Sequence, residues 1–80
     1  MKDQDILQHI NALVDEEHDL RSRGEESVLM PADVDRLNTI EVQLDRYWDL
    51  LRQRRAKRDA GQDPESAHMR SADIVEHYKQ

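Results

Sequence analysis

Eighty residues with 36% hydrophobic content, one Trp, two Tyr and no Phe fill only a thin core, which excludes several domains and a deep, preformed enzyme pocket. The charged fraction is 38% and the net charge −6, with both signs interspersed and only two Gly and two Pro, a balance that favours solvated helices over a disordered linker. There is no cysteine, so disulfides and thiolate metal sites are ruled out, and no apolar run approaches bilayer length, so a soluble cytoplasmic chain is expected.

The first helix is expected over residues 3–23. Asp3 or Asp5 offers a carboxylate to the orphan N–H groups of its first turn, and Ile6, Leu7, Ile10, Leu13, Val14 and Leu20 form one helical stripe. Glu17 and His18 interrupt that stripe, and Gly24 is expected to end the helix in a left-handed C-terminal cap. Residues 25–30 read as a connector.

Pro31 suits the first turn of a second helix, expected over 31–60, because its missing N–H would be unpaired there; Asp33 complements the same end of the dipole. Val34, Leu37, Ile40, Leu44, Tyr47, Trp48 and Leu51 recur at helical spacing, with Leu50 beside them and no breaker before Gly61. Roughly 28 residues of it in regular helix make it about 42 Å long at 1.5 Å per residue. A short connector makes antiparallel packing the economical solution, with Leu20 near Leu37 and Ile6 near Leu51. The first helix is the shorter, so Arg52 to Ala60 is expected to project beyond it.

Asp63-Pro64 stops the helix, leaving a tail, 61–80, with a short helix at 71–78 marked by Ile74, Val75 and Tyr78 and capped by Ser71. The fold class is therefore all-α: one domain over 1–80, an antiparallel helical hairpin with a longer second helix and a C-terminal tail carrying a short helix.

Three constellations could carry chemistry. Asp15 and His18 stand three residues apart, a spacing at which carboxylate and imidazole share a metal, and Glu41, Asp45 and Asp49 form an i, i+4, i+8 row. Most of these residues alternate with the apolar stripe, so a solvated acidic face is the favoured reading, and no metal ligand or cofactor is assigned. The segment Arg52 to Arg58 carries five positive charges in seven residues, whereas Met1 to Leu51 sums to −8. These cations complement the C-terminal end of the helix dipole and also suit phosphates or an acidic protein. Tyr47 and Trp48 are adjacent, so one faces the first helix and the other leans toward the tail or a second copy. His9, His68 and His77 follow no ligand spacing, and neither a phosphate-binding glycine loop nor a nucleophile elbow is present.

The runs Ala12-Leu13-Val14-Asp15-Glu16-Glu17-His18-Asp19-Leu20 and Leu44-Asp45-Arg46-Tyr47-Trp48-Asp49-Leu50-Leu51-Arg52-Gln53-Arg54-Arg55-Ala56 resemble a small, mainly actinobacterial family of uncharacterised proteins, domain of unknown function 2630. Arg58-Asp59-Ala60-Gly61-Gln62-Asp63-Pro64 and Ile74-Val75-Glu76-His77-Tyr78-Lys79-Gln80 are similar to its C-terminal part, and residues 28–31 are atypical. The resemblance implies a stand-alone cytoplasmic bacterial protein in which the Trp48 to Arg55 segment and the tail form one unit. It implies no activity, cofactor or catalytic residue.

The expected function is that of a non-enzymatic interaction module. It self-associates as a homodimer or docks on another protein through Leu13, Leu44, Tyr47, Trp48 and Leu51. The alternative is a nucleic-acid or ribosome-associated accessory protein that sets Arg52, Arg54, Arg55, Lys57 and Arg58 against phosphates. A carboxylate and histidine metal site at Asp15, His18, Glu41 and Asp45 comes third.

Overall fold

A computed structural model describes residues 1–78; Lys79 and Gln80, the end of the expected tail, lie outside the described residues, as does the side chain of Tyr78. The elements are α1 (Asp3–Glu26), α2 (Pro31–Asp59), a single 3-10 turn (Pro64–Ser66) and α3 (Ala72–Tyr78). The fold is all-α, with no strand among the described residues.

At the start of α1 the Asp5 carboxylate accepts from the backbone N–H of Lys2 at 3.1 Å, which satisfies an N-terminal donor and leaves Asp3 to turn toward α2. The helix then continues past Gly24 to Glu26, where the Ser27 N–H closes on the Arg23 carbonyl at 3.0 Å. The expected stop at Gly24 is thus corrected. Gly24 does not adopt positive φ; its use is space, since a Cβ there would stand 3.2 Å from Leu29 Cγ. The missing side chain lets the connector fold Leu29 against the helix.

The left-handed glycine is Gly61, with φ +72°. Its N–H donates to the Arg58 carbonyl at 3.1 Å, and the Gln62 N–H donates to the Lys57 carbonyl at 2.7 Å, a Schellman cap that ends α2 and reverses the chain.

Ile6, Ile10 and Leu20 of α1 meet Ile40, Leu44 and Leu50 of α2 in the core, with Leu13, Leu37, Tyr47 and Leu51 packed against them. Antiparallel pairing is fixed at three levels: Asp3 meets Arg58, the His9 ring stacks on Tyr47 at 5.2 Å, and Glu16 pairs with Arg36.

After Gly61 the tail returns along α2. Arg46 Nε donates to the Arg70 carbonyl at 2.9 Å, and Gln53 Nε2 donates to the His68 carbonyl at 2.8 Å. Ala67 and Met69 join the core, and Val75 buries α3. The segment from Arg52 to Ala60 therefore does not project bare; the tail and the first residues of α1 close on it.

Truncating Ile40, which is fully buried, should lower stability by about 2–5 kcal/mol, because it removes transfer energy and leaves a cavity in a core only two helices deep. Truncating Val28, 94% exposed in the connector, should change it by less than about 0.5 kcal/mol. Urea unfolding followed by helical circular dichroism checks both.

Candidate interaction surface

The basic run is divided by its position on α2. Arg54 is 5% exposed. Its Nε donates to the Asp3 carboxylate, Nη1 to the Pro64 carbonyl at 3.2 Å, and Nη2 to Glu65 Oε1 at 3.2 Å. Arg58 Nη2 stands 2.9 Å from the other Asp3 oxygen. The start of α1, the last third of α2 and the 3-10 turn thus share one charge cluster. Arg54 is corrected from an outward contact cation to an internal clamp, and Arg58 is half-neutralised beside it. Lys57 is half-buried. Arg52 and Arg55 are exposed and make no ion pair among the described residues.

Hydrogen bonds from Arg58 and then Arg54 hold the Asp3 carboxyl below its ordinary value of 3.8. The Met1 amino group, 3.1 Å away, and then Arg54 hold Glu65 below 4.5, while Asp3 pushes the Arg54 guanidinium up.

The acidic residues are spent largely on neighbouring arginines. Glu16 receives Arg36 Nη2 at 2.7 Å, Glu17 lies 3.6 Å from Arg21, and Glu41 lies 3.0 Å from the same arginine. Asp15 and His18 are exposed. No group of three or more His, Asp and Glu side chains is placed to hold a metal among the described residues. Asp49, read from sequence as part of the acidic row, is 6% exposed, accepts from Gln53 Nε2 at 2.9 Å and lies 3.6 Å from Arg70. The i, i+4 spacing of Asp49 and Gln53 lets those two side chains meet, but it gives no sign of Arg70.

Leu13, Leu44, Tyr47 and Leu51, read from sequence as contact residues, face the hairpin's own interior, and only Trp48 of that set remains outside, 44% exposed. Trp48 does not stand alone. Leu7, Val14 and Arg21 are spaced seven residues apart on α1; Val34, Glu41, Trp48 and Arg55 are spaced seven apart on α2. Seven residues bring a helix back to nearly the same direction, so each set forms one row. The Arg21 to Glu41 pair, at 3.0 Å, puts the two rows on one side of the hairpin. Leu7, Val14, Val34 and Trp48 on that side are 44, 42, 45 and 44% exposed. The described part of the tail is anchored at Arg46, Asp49 and Gln53, about 100–160° round α2 from Trp48, away from this face.

Replacing Arg54 by Ala should cost about 1–3 kcal/mol at pH 7, since its charge-assisted bonds are lost but the released carboxylates can be rewetted. Lys restores only part, because its three N–H donors sit on one nitrogen and do not span acceptors that face Nε, Nη1 and Nη2 separately. Asp3 and Glu65 have lowered folded-state pKa values, so their stabilisation is full above 4.5 and fades as pH falls through the lowered values. The gap between the parent and the Ala variant should accordingly narrow below about pH 4 in paired urea titrations.

No helix among the described residues is long and apolar enough to cross a membrane. Comparison with known proteins gives relatives without an assigned activity. The chain is 46% identical over 77 residues, 95% of its own length and 88% of theirs, to uncharacterized proteins of Mycobacterium bovis and Mycobacterium tuberculosis. No solved structure matches. The model of a protein family of unknown function, DUF2630, matches residues 2–80, and with the mycobacterial relatives this shows that the chain belongs to that family.

Proposed function

We propose that this protein is a non-enzymatic interaction module that works by self-association, two hairpins joining through the open face into a four-helix arrangement. The observation that carries this reading is the row of Leu7, Val14, Val34 and Trp48, each more than two-fifths exposed, on the side away from the tail's anchor points on α2. A pair of heptad-spaced rows on a hairpin is the surface from which helical bundles are assembled. Trp48 supplies the large, rigid side chain around which such interfaces concentrate their affinity. The two-helix core is thin for a chain of this size, and a second copy would bury the remaining apolar row.

The alternative, phosphate contact by the basic end of α2, draws less support. Arg54 is enclosed and Arg58 is paired with Asp3, which reduces five clustered cations to Arg52, Arg55 and a half-buried Lys57. Counterion release scales with the number of cations that reach phosphates, so binding of this kind would be weak at moderate salt.

Sedimentation equilibrium at micromolar concentration should give twice the 9.5 kDa chain mass. Trp48→Glu should weaken the dimer at least about tenfold while helical circular dichroism is preserved, because it places a charge at the interface centre without touching the core. A parent chain that sediments as a monomer at tens of micromolar would overturn the proposal.

A further inference from the structure

Where the returning tail runs into α3, it meets α2 without filling the space beside it. Asn38, Thr39, Val42, Gln43 and Arg46 of α2 and Ala72, the first residue of α3, line a shallow cleft of about 280 Å³. Residues 38, 42 and 46 stand one turn apart and 39 and 43 form the next row, so five side chains share one flank. The volume falls just below the range of about 300–1,000 Å³ that suits drug-sized ligands, and a molecule of a few heavy atoms fits it.

One hydrogen bond sets the chemistry of this cleft. Arg46 Nε donates to the Arg70 carbonyl at 2.9 Å, which orients a half-buried guanidinium. Its Nη1 and Nη2 make no hydrogen bond or ion pair among the described residues. Asp49, the next carboxylate along the helix, is taken up by Gln53 and Arg70 instead. The side-chain amides of Asn38 and Gln43 likewise make no hydrogen bond among the described residues, whereas Thr39 Oγ1 already donates to the Asp35 carbonyl at 3.1 Å. The cleft thus gathers one cation with its outer pair of N–H groups open, two amides, and apolar surface from Val42 and Ala72.

A carboxylate matches that outer pair, because its two oxygens meet two parallel N–H groups of a planar fork. One cation also balances one negative charge; a phosphate group, at about −1.5 to −2 near neutral pH, would be left partly uncompensated. The amides can donate to the same oxygens, and Val42 and Ala72 can take a short hydrocarbon stem. We infer that this cleft is a binding site for a small monocarboxylate with a short aliphatic chain, held through Arg46. Arg46 stands about 160° round α2 from Trp48, so the site is separate from the self-association face and the two readings fail independently.

Sodium butyrate is the probe, titrated into the isotopically labelled full chain at an ionic strength held constant with chloride and followed by nuclear magnetic resonance. The backbone resonances of Asn38, Val42, Gln43, Arg46 and Ala72 should shift together and saturate in the millimolar range. Butyramide, of the same shape but uncharged, and inorganic phosphate should each bind at least about tenfold more weakly. Arg46→Gln should weaken butyrate binding by a similar factor. That substitution also removes a bond to the tail, so Gln43→Glu gives an independent check: it offers Arg46 a carboxylate from the chain itself, does not touch the Arg70 bond, and should abolish butyrate binding with helical circular dichroism unchanged. The inference is overturned if butyrate gives no saturable shift beyond that of chloride, if butyramide or phosphate binds as tightly, or if binding survives in either variant.

Discussion

Where the beginning of α1, the last third of α2 and the turn after Gly61 converge, the guanidinium of Arg54 bonds across all three. It binds the Asp3 carboxylate, the Pro64 carbonyl and Glu65, and it does so almost out of contact with water. A buried cation without partners would be costly, so the three acceptors must be delivered together. That requirement ties the chain reversal at the Schellman cap to the start of the first helix. It also fixes the side of α2 on which the tail returns.

The remaining architecture follows from that choice of side. A tail lying over Arg46, Asp49 and Gln53 covers one flank of α2, α1 covers another, and the flank carrying Val34, Glu41, Trp48 and Arg55 stays open. Charges are sorted by the same geometry. Arg54 and Arg58 are drawn inward by Asp3, whereas Arg52 and Arg55, one or two positions away in sequence but on a different face, keep their charge in water. A linear run of five cations thus becomes a clamp and a separate outward pair.

Particular residues show how far the sequence could be read. The apolar spacing of Ile6, Ile10, Leu20, Ile40 and Leu44 was sufficient to place both helices and their antiparallel contact, because a 3.6-residue period leaves one face for burial. Gly24 was misleading, since a glycine beside the end of a stripe suggests a left-handed cap, while its actual service is clearance for Leu29, five residues later. Asp49 and Arg54 resembled their exposed neighbours in composition. Their burial depends on Arg70, Pro64 and Glu65, residues 10 to 21 positions downstream, and no local pattern announces such partners.

The sequence by itself determined that this is an all-α hairpin with a long second arm and an acidic and a basic segment, and its motifs were enough to indicate the family. Those properties are local, set by periodicity, breakers and charge counts over stretches of at most a few turns. Only the tertiary structure decided that Leu13, Leu44, Tyr47 and Leu51 are consumed within the hairpin, that Arg54 is a clamp, and that Leu7, Val14, Val34 and Trp48 share one uncovered face. The reason is physical: which flank of an amphipathic helix remains open depends on where distant segments return, and that is fixed by contacts that come together only when the whole chain is folded.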